Sequence, residues 1–303
     1  MRRLLASALL TALAALPLTA CAPGASDGPI VVVTTNILGD VVQNVVGDQA
    51  DVMVLMPRGA DPHSFEISAS DAARVERADL LVSNGLGLEG GIGRTVDAAR
   101  SEGVAILQVG DAVRPIEYRS GQSSGTPDPH VWTDPDRMHE AVAVIRDAVL
   151  DHVPEVDESS VRANSENYAR QLGELAARMT ERFAAVPADR RKLVTNHHVF
   201  GYLADRFGFE TIGAVVPSGT TLASPSASDL SDLAATITAA RVPAIFVDSS
   251  QPDRLAQVLA SEARVPVAIV SLFTESLGEP GSGAGTYIEM MDSNSLAIEQ
   301  ALR

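Results

Sequence analysis

The stretch from Asp157 to Val186 constrains the fold of this chain more than any other. No proline interrupts it before Pro187, and Asp157 or Ser159 can cap its start. Its apolar residues recur at helical spacing, at Tyr168, Leu172, Leu175, Met179 and Phe183. One uninterrupted helix here would be roughly 45 Å long, at ~1.5 Å per residue. We therefore predict a backbone helix over residues 157–187.

Similar patterns lie on the two sides of this helix. Residues 29–156 and residues 188–303 each alternate short, continuously apolar strands with helical segments. Such strands are typical of parallel sheets that are covered on both faces. We therefore predict an α/β fold with two lobes, each with a mostly parallel sheet flanked by helices, joined by the backbone helix. A long helix inside one large domain is the alternative.

The N-terminus has the features of a secretory signal. Two arginines precede an apolar run within residues 1–20, as in a signal peptide. The sequence Leu-Thr-Ala-Cys, which ends at Cys21, resembles the lipobox of bacterial lipoproteins, in which this cysteine becomes the lipid-modified N-terminus. Residues 21–28 would then be a lipidated tether. The alternative is a chance cysteine in an ordinary signal peptide.

The chain is acidic, with a formal net charge of −16. This balance argues against nucleic acid as a partner, because nucleic-acid-binding proteins present a basic face. It suits a protein that attracts cations, although solubility explains it equally well. Cys21 is the only cysteine, so an exported form of this chain has no intrachain disulfide.

Four residues with metal-ligating side chains follow predicted strands of both lobes. His63 lies in the loop after the second strand, and His130 lies in the long loop after the fourth. His197 stands just beyond the fifth strand, and Glu275 follows the last one. Ligands of open parallel sheets bind outside the carboxyl ends of the strands. We therefore expect the four to face one cleft, although each alone has a plain interpretation as a capping or solvent-facing side chain.

Three neutral imidazoles and one carboxylate form a nitrogen-rich donor set. Zn²⁺ prefers such a four-coordinate set, whereas Mn²⁺ accepts more oxygen ligands and higher coordination. The chain contains no HExxH, cysteine cluster, G-x-S-x-G or glycine-rich phosphate loop. A hydrolytic zinc site also needs an open position and a general base. The pattern therefore favours metal binding over catalysis, and we do not expect an enzyme.

Three further side chains are candidates for supporting these ligands: Asp134, His198 and Asp248. His198 follows His197 directly, so if one faces the cleft the other turns away or supports it. His63 and His130 are each the last residue of an Asp-Pro-His tripeptide. The proline stiffens the loop just before the imidazole.

Five segments together resemble the bacterial ABC-transporter solute-binding lipoproteins for zinc and manganese. They are GADPHSFEISASD (59–71), DPHVWTDP (128–135), TNHHVFGYLADRFG (195–208), AIFVDSS (244–250) and LFTESLGEPG (272–281). The resemblance extends over the whole mature chain. It implies two lobes joined by one long helix, with a metal buried between them.

The resemblance also implies a ligand set, at His63, His130, His197 and Glu275. Members of the family usually have Asp in the fourth position, so the longer Glu275 must fold back, coordinate differently, or give way to water or Asp248. Manganese members typically carry a carboxylate in the third position, so His197 favours zinc. Zinc members often have a histidine-rich loop before the second ligand, whereas residues 117–128 contain no histidine before His130.

The function that these observations predict is an extracytoplasmic binding protein, anchored by lipid to the outer face of the cell membrane or periplasmic. We expect a monomer that captures Zn(II) and delivers it to an ABC permease with a cytoplasmic ATPase. A receptor for Mn(II) or Fe(II) is the alternative within the family. A secreted zinc hydrolase and a metal-independent adhesin are the alternatives from other classes. Glycines after Glu275 also predict a mobile segment and the weakest of the four contacts.

Overall fold

The computed structural model describes residues 28–303. The predicted signal peptide (1–20), Cys21 and the predicted tether up to residue 27 lie outside the described residues. Within residues 28–303, none of the helices has the length and apolarity that crossing a bilayer requires.

The first sheet is parallel throughout and has the strand order β2-β1-β3-β4. Its strands are β1 (Ile30–Val33), β2 (Asp51–Val54), β3 (Leu80–Ser83) and β4 (Ala105–Gln108). The helices that follow these strands are α1 (Asn36–Val46), α2 (Ala69–Val75), α3 (Gly93–Ser101) and the one-turn α4 (Val109–Ala112). Because all four strands run in the same direction, their carboxyl ends lie at one edge of the sheet.

The second sheet repeats this arrangement, with the strand order β6-β5-β7-β8, again all parallel. Its strands are β5 (Lys192–Thr195), β6 (Glu210–Ala214), β7 (Ala244–Asp248) and β8 (Ala268–Leu272). The helices of this half are α7 (Gly201–Phe207), α8 (Ala227–Ala240), α9 (Arg254–Glu262) and α10 (Tyr287–Leu302). Two sheets of this kind, each flanked by helices, confirm the predicted fold class.

Residues within several strands alternate between two cores. In β1, Val31 belongs to a central core, whereas Val32 belongs to a separate core on the other face of the sheet. In β7, Phe246 belongs to the central core and Val247 to a third core. Successive side chains of a strand point to opposite faces, so a strand that is covered on both faces is apolar at every position. This is why the strands of the sequence are continuous apolar runs.

The predicted backbone helix is α6 (Glu158–Ala184), which follows α5 (Pro135–His152). Asp157 caps it by accepting a 2.7 Å hydrogen bond from the backbone N–H of Ser160. Gly173 lies inside the helix without interrupting it. All five apolar residues predicted to form one face are buried. The prediction of one uninterrupted helix is confirmed, and its last residue is Ala184.

The central core continues through α6 into both halves of the chain. The helix packs against α1 and α5, which precede it in the chain, and against α10, which follows it. Leu38 of α1, Leu172 of α6 and Ile298 of α10 all belong to this core and are almost fully buried. The two sheets therefore share one apolar interior. The boundaries of the two lobes, at 29–156 and 188–303, stay a prediction.

Candidate metal centre

Four buried side chains meet in one cluster, and they are His63, His130, His197 and Glu275. Their ligand atoms all lie within 4.8 Å of one another. Two of the four follow strands of the first sheet and two follow strands of the second. The structure thus brings together the four positions that the strand ends indicated, and the cluster joins the two halves of the chain.

The two Asp-Pro-His tripeptides position their histidines in the same way. The Asp61 carboxylate accepts a 2.9 Å hydrogen bond from the backbone N–H of His63. The Asp128 carboxylate accepts a 3.0 Å hydrogen bond from the backbone N–H of His130. Aspartate favours such local bonds in turns. In each motif, the first residue therefore holds the backbone from which the imidazole projects.

His197 follows β5 directly and is completely buried. The Thr195 hydroxyl donates to the carbonyl of His197, which keeps the chain turned just after the strand. The backbone N–H of His198 donates to the carbonyl of Ser218 at 2.9 Å. The imidazole ring of His198 lies outside the cluster, with its centroid 6.5 Å from that of the Tyr118 ring. In the Thr-Asn-His-His run, the first histidine therefore reaches the cluster.

The segment that carries Glu275 is held more firmly than its glycines predicted. The Asp248 carboxylate accepts 3.1 Å hydrogen bonds from the backbone N–H groups of Thr274 and Glu275, and a further one from the Thr274 hydroxyl. The Trp132 indole donates to the carbonyl of Thr274 at 2.8 Å. The Asn36 carboxamide oxygen accepts from the backbone N–H of Leu277 at 2.8 Å. Contacts from both halves of the chain thus anchor the backbone around Glu275.

The atoms that face one another in the cluster have the spacing of a small coordination shell. Nε2 of His197 lies 3.0 Å from Oε1 of Glu275 and 3.4 Å from Nε2 of His130. Nε2 of His130 lies 3.5 Å from Oε1 of Glu275, and Nε2 of His63 lies 4.0 Å from Oε2. Ligands about 2.0–2.1 Å from a tetrahedral zinc ion are separated by roughly 3.3 Å. The observed separations bracket this value, so small adjustments accommodate a four-coordinate ion.

Several polar atoms of the cluster have no hydrogen-bond partner within residues 28–303. They are Nε2 of His63, Nδ1 of His197 and both carboxylate oxygens of Glu275. A buried polar group without a partner is unfavourable by about 1–3 kcal/mol, and by more when it is charged. A cation that accepts lone pairs from Nε2 of His63 and from Glu275 would remove most of this penalty. The donor set therefore suits a metal ion.

Burial controls the protonation of the cluster. It lowers the pKa of His63 to about 4, against the opposing effect of the Glu275 carboxylate, and it lowers the pKa of His197 to about 4. It also lowers the pKa of His130 well below its usual value. Burial raises the pKa of Glu275 well above its usual value, with His63 opposing. The imidazoles are therefore in the neutral form that binds metal ions.

Asp128 supports the cluster in a way that the sequence analysis missed. Its Oδ1 lies 2.7 Å from Nδ1 of His130, besides accepting the backbone N–H of the same residue. Imidazoles that bind metals usually donate their other ring N–H to a carboxylate or carbonyl, which fixes the tautomer and the orientation. Asp128 therefore directs Nε2 of His130 into the cluster. The repeated Asp-Pro-His motif was the available signal.

The three predicted supporting residues have different positions. Asp248 anchors the Glu275 segment rather than contributing an oxygen to the cluster. His198 lies behind the cluster, against Tyr118. Asp134 caps α5 by accepting from the backbone N–H of Asp136, and its carboxylate pairs with the neighbouring arginine side chains.

The sequence profile of the family described as the periplasmic zinc-uptake complex component A (ZnuA) matches residues 31–301. The chain belongs to this family. It is 33% identical over 284 residues to the zinc-binding protein TroA of Treponema pallidum, over 92% of this chain and 90% of TroA. It is 30% identical over 270 residues to the manganese-binding lipoprotein MntA of Halalkalibacterium halodurans, over 88% of this chain and 86% of MntA.

Further matches also cover nearly the whole of this chain. The manganese ABC transporter substrate-binding lipoprotein PsaA of Streptococcus pneumoniae is 27% identical over 310 residues, over 98% of both chains. The solved structure of the periplasmic zinc-binding protein TroA of Treponema pallidum has a TM-score of 0.84 at 29% identity, over 91% of this chain and 99% of that one. The Mn-bound periplasmic metal-binding protein of Candidatus Liberibacter asiaticus has a TM-score of 0.79 at 25% identity, over 91% and 100%.

Membership in the ZnuA family establishes the general function of this chain. It is a substrate-binding protein of a metal ABC transporter, it acts outside the cytoplasm, and it is not an enzyme. These predictions from the sequence are confirmed. Relatives are named for zinc and for manganese, so membership alone does not identify the metal.

Proposed function

We propose that this protein captures Zn(II) between its two lobes and delivers it to a membrane permease driven by a cytoplasmic ATPase. The ligands are His63, His130, His197 and Glu275. The observation that supports this proposal most directly is the spacing of three imidazole nitrogens and one carboxylate oxygen in a buried cluster. Three nitrogen donors and one oxygen donor are typical of four-coordinate zinc.

Mn(II) is the second candidate, and one observation favours it. Both carboxylate oxygens of Glu275 lack a hydrogen-bond partner within the described part of the chain, so both are free to bind one ion. A bidentate carboxylate raises the coordination number above four, which suits Mn²⁺ better than Zn²⁺. Three imidazoles against one carboxylate nevertheless favour zinc.

A competition experiment with Mn²⁺ in large excess tests the zinc assignment, because Zn²⁺ binds most nitrogen and oxygen sites more tightly than Mn²⁺ at equal concentration. Protein stripped of metal is incubated with one equivalent of Zn²⁺ and a large excess of Mn²⁺, and the bound metal is then measured. We expect one equivalent of zinc and almost no manganese. Manganese as the main bound ion would contradict the zinc assignment. The His197→Ala variant should lose most zinc binding and the matched His198→Ala variant little, because only His197 lies in the cluster.

The attachment to the cell surface belongs to the same proposal. The Leu-Thr-Ala-Cys sequence at residues 18–21 supports lipidation of Cys21, and the relatives MntA and PsaA are named as lipoproteins. A lipid on Cys21 would hold the protein at the outer face of the membrane, next to its permease. We propose that it acts there as a monomer with lobes at 29–156 and 188–303, joined by the backbone helix 157–187.

A further inference from the structure

Residues 117–127, which we call the strap, form a compact loop just before Asp128 and His130. The backbone N–H of Tyr118 donates to the carbonyl of Thr126 at 3.0 Å, and that of Gly125 donates to the carbonyl of Tyr118 at 3.0 Å. Glu117 and Pro127 pair as an isolated antiparallel bridge at its base. The strap is therefore closed by its own backbone hydrogen bonds, although it contains no regular helix or strand.

The strap is bound to the segment after β6, in the other half of the chain. The backbone N–H of Gln122 donates to the carbonyl of Pro217 at 2.9 Å. The backbone N–H of Gly219 donates to the Ser123 hydroxyl at 3.0 Å, and the Tyr118 hydroxyl donates to the carbonyl of Gly219 at 3.2 Å. Three hydrogen bonds thus connect the strap to residues 217–219.

Two glycines allow this close approach. A side chain at Gly219 would collide with the ring and hydroxyl of Tyr118. Gly121 has a φ of +76°, and a Cβ there would lie 2.6 Å from Nε2 of His198 and 2.9 Å from the carbonyl oxygen of Pro217. Positive φ and close approach both favour glycine. His198 therefore forms part of the surface on which the strap lies.

The same tyrosine hydroxyl reaches a side chain of the metal centre. It lies 3.2 Å from Nδ1 of His130, the ring atom that also lies 2.7 Å from the Asp128 carboxylate. The hydroxyl donates to Gly219, so its oxygen is free to accept a share of the N–H at Nδ1. Tyr118 therefore joins the orientation of the His130 ring to a contact with the other half of the chain.

We propose that Tyr118 is a positioning residue: through the strap, it keeps the imidazole of His130 directed at the ion for as long as the strap stays bound to residues 217–219. This inference rests on the proposed function, because it assigns a role to Tyr118 in holding the captured metal.

A cavity of about 380 Å³ lies beside the strap and is lined by residues 117–120 together with parts of α7 and β6. The strap is also joined to α7 by an exposed ion pair between Arg119 and Asp205 at 2.6 Å, so it can move away once this pair and its three hydrogen bonds break. The Glu275 segment is anchored by five buried hydrogen bonds with Asp248, Trp132 and Asn36, so in this proposal the strap is the side on which the ion is released.

The test compares three variants of the purified protein. Tyr118→Phe keeps the ring but removes both contacts of the hydroxyl. Ser123→Ala removes one bond of the strap without touching the metal centre. Tyr168→Phe is the matched control. Tyr168 lies on α6, away from the cluster, and its buried side chain donates a 3.2 Å hydrogen bond from the hydroxyl to Asp40.

Zinc release is measured by stopped-flow capture with an excess of chelator, and the visible absorption of bound Co²⁺ reports the geometry of the ligands. We expect Tyr118→Phe to release zinc about tenfold faster, as the loss of hydrogen bonds to a metal ligand predicts. Its Co²⁺ spectrum should also change. Ser123→Ala should release zinc about two- to threefold faster with an unchanged spectrum. Tyr168→Phe should lower the melting temperature and leave both release and spectrum as in the wild type.

The outcomes separate this inference from the proposed function. If the wild type binds zinc but Tyr118→Phe releases it at the wild-type rate, only the role of Tyr118 is wrong. Equal acceleration in Tyr118→Phe and Tyr168→Phe would likewise overturn it, because the effect would then come from general destabilisation. A wild type that binds neither zinc nor Co²⁺ would overturn the proposed function, and this inference with it.

Discussion

Asp61 and Asp128 show how one short motif serves two purposes. Both accept the backbone N–H of the histidine two residues later. Asp128 also bonds the ring of its histidine, whereas the second oxygen of Asp61 accepts from the side chains of Thr221 and Gln251, in the other half of the chain. Asp128 thus orients the imidazole of His130 directly, whereas Asp61 connects the loop that carries His63 to the other half of the chain.

The anchored backbone around Glu275 predicts that this ligand tolerates little change. In Glu275→Asp the carboxylate is one methylene shorter, and the bonds from Asp248 and Trp132 prevent the backbone from following it. We expect zinc affinity to fall about tenfold in Glu275→Asp. In Glu275→Gln, where the only anionic ligand is lost, it should fall about a hundredfold. These losses of affinity correspond to ~1.5–3 kcal/mol, the usual range for a bond to a charged group. Affinities are measured by competition with a chelator of known affinity. Wild-type affinity in Glu275→Asp would mean that the segment moves despite its anchors, as its glycines alone suggested.

Among the secondary-structure elements, α6 determines how the two sheets are combined. Its buried face lies in a core that includes residues from the helices on both sides of it. Because α6 contributes to one continuous core, loss of its packing affects both halves. We therefore expect the two halves to unfold together.

Leu172→Ala tests this expectation. Leu172 is completely buried in the middle of α6, so the substitution should lower the free energy of unfolding by about 2–5 kcal/mol. The unfolding should stay a single transition, measured by urea denaturation of the metal-free protein. Glu166→Ala, at an exposed position of the same helix, is the control and should change stability by about 0.5 kcal/mol or less. Two separate transitions in Leu172→Ala would show that the halves are stable independently.

For the whole molecule, burial of the cluster between the two halves changes how protons compete with the metal. Ordinary imidazoles have a pKa of ~6.5 and would hold protons just below neutral pH. In this protein, burial lowers the pKa of His63 and His197 to about 4, so these rings hold no proton at pH 6. Burial raises the pKa of Glu275, so this carboxyl retains a proton above its usual range. Zinc must displace whichever protons are present.

The expected result is a shallow pH dependence of zinc affinity that becomes steep only in acid. Affinity should fall as the pH falls, with at most about one proton displaced per ion near pH 6, from Glu275, and with up to two more, from His63 and His197, as the pH approaches 4. Calorimetric titration in two buffers with different enthalpies of ionisation counts these protons. Displacement of three protons at pH 6 would mean that the histidines face water before the ion binds.

The amino-acid pattern was enough to predict the long helix, the two parallel sheets and the four positions of the cluster, because these depend on local periodicity and on where strands end. His63, His130, His197 and Glu275 all lie beyond strand ends, and the structure brings them together. The groups that support these four side chains became visible only in the folded protein. The Tyr118 hydroxyl meets Gly219 across 101 residues, and Asp248 holds the backbone of Glu275 across 27. Such contacts depend on how distant segments pack, so no local pattern revealed that the glycine-rich segment is anchored or that the strap reaches a ligand.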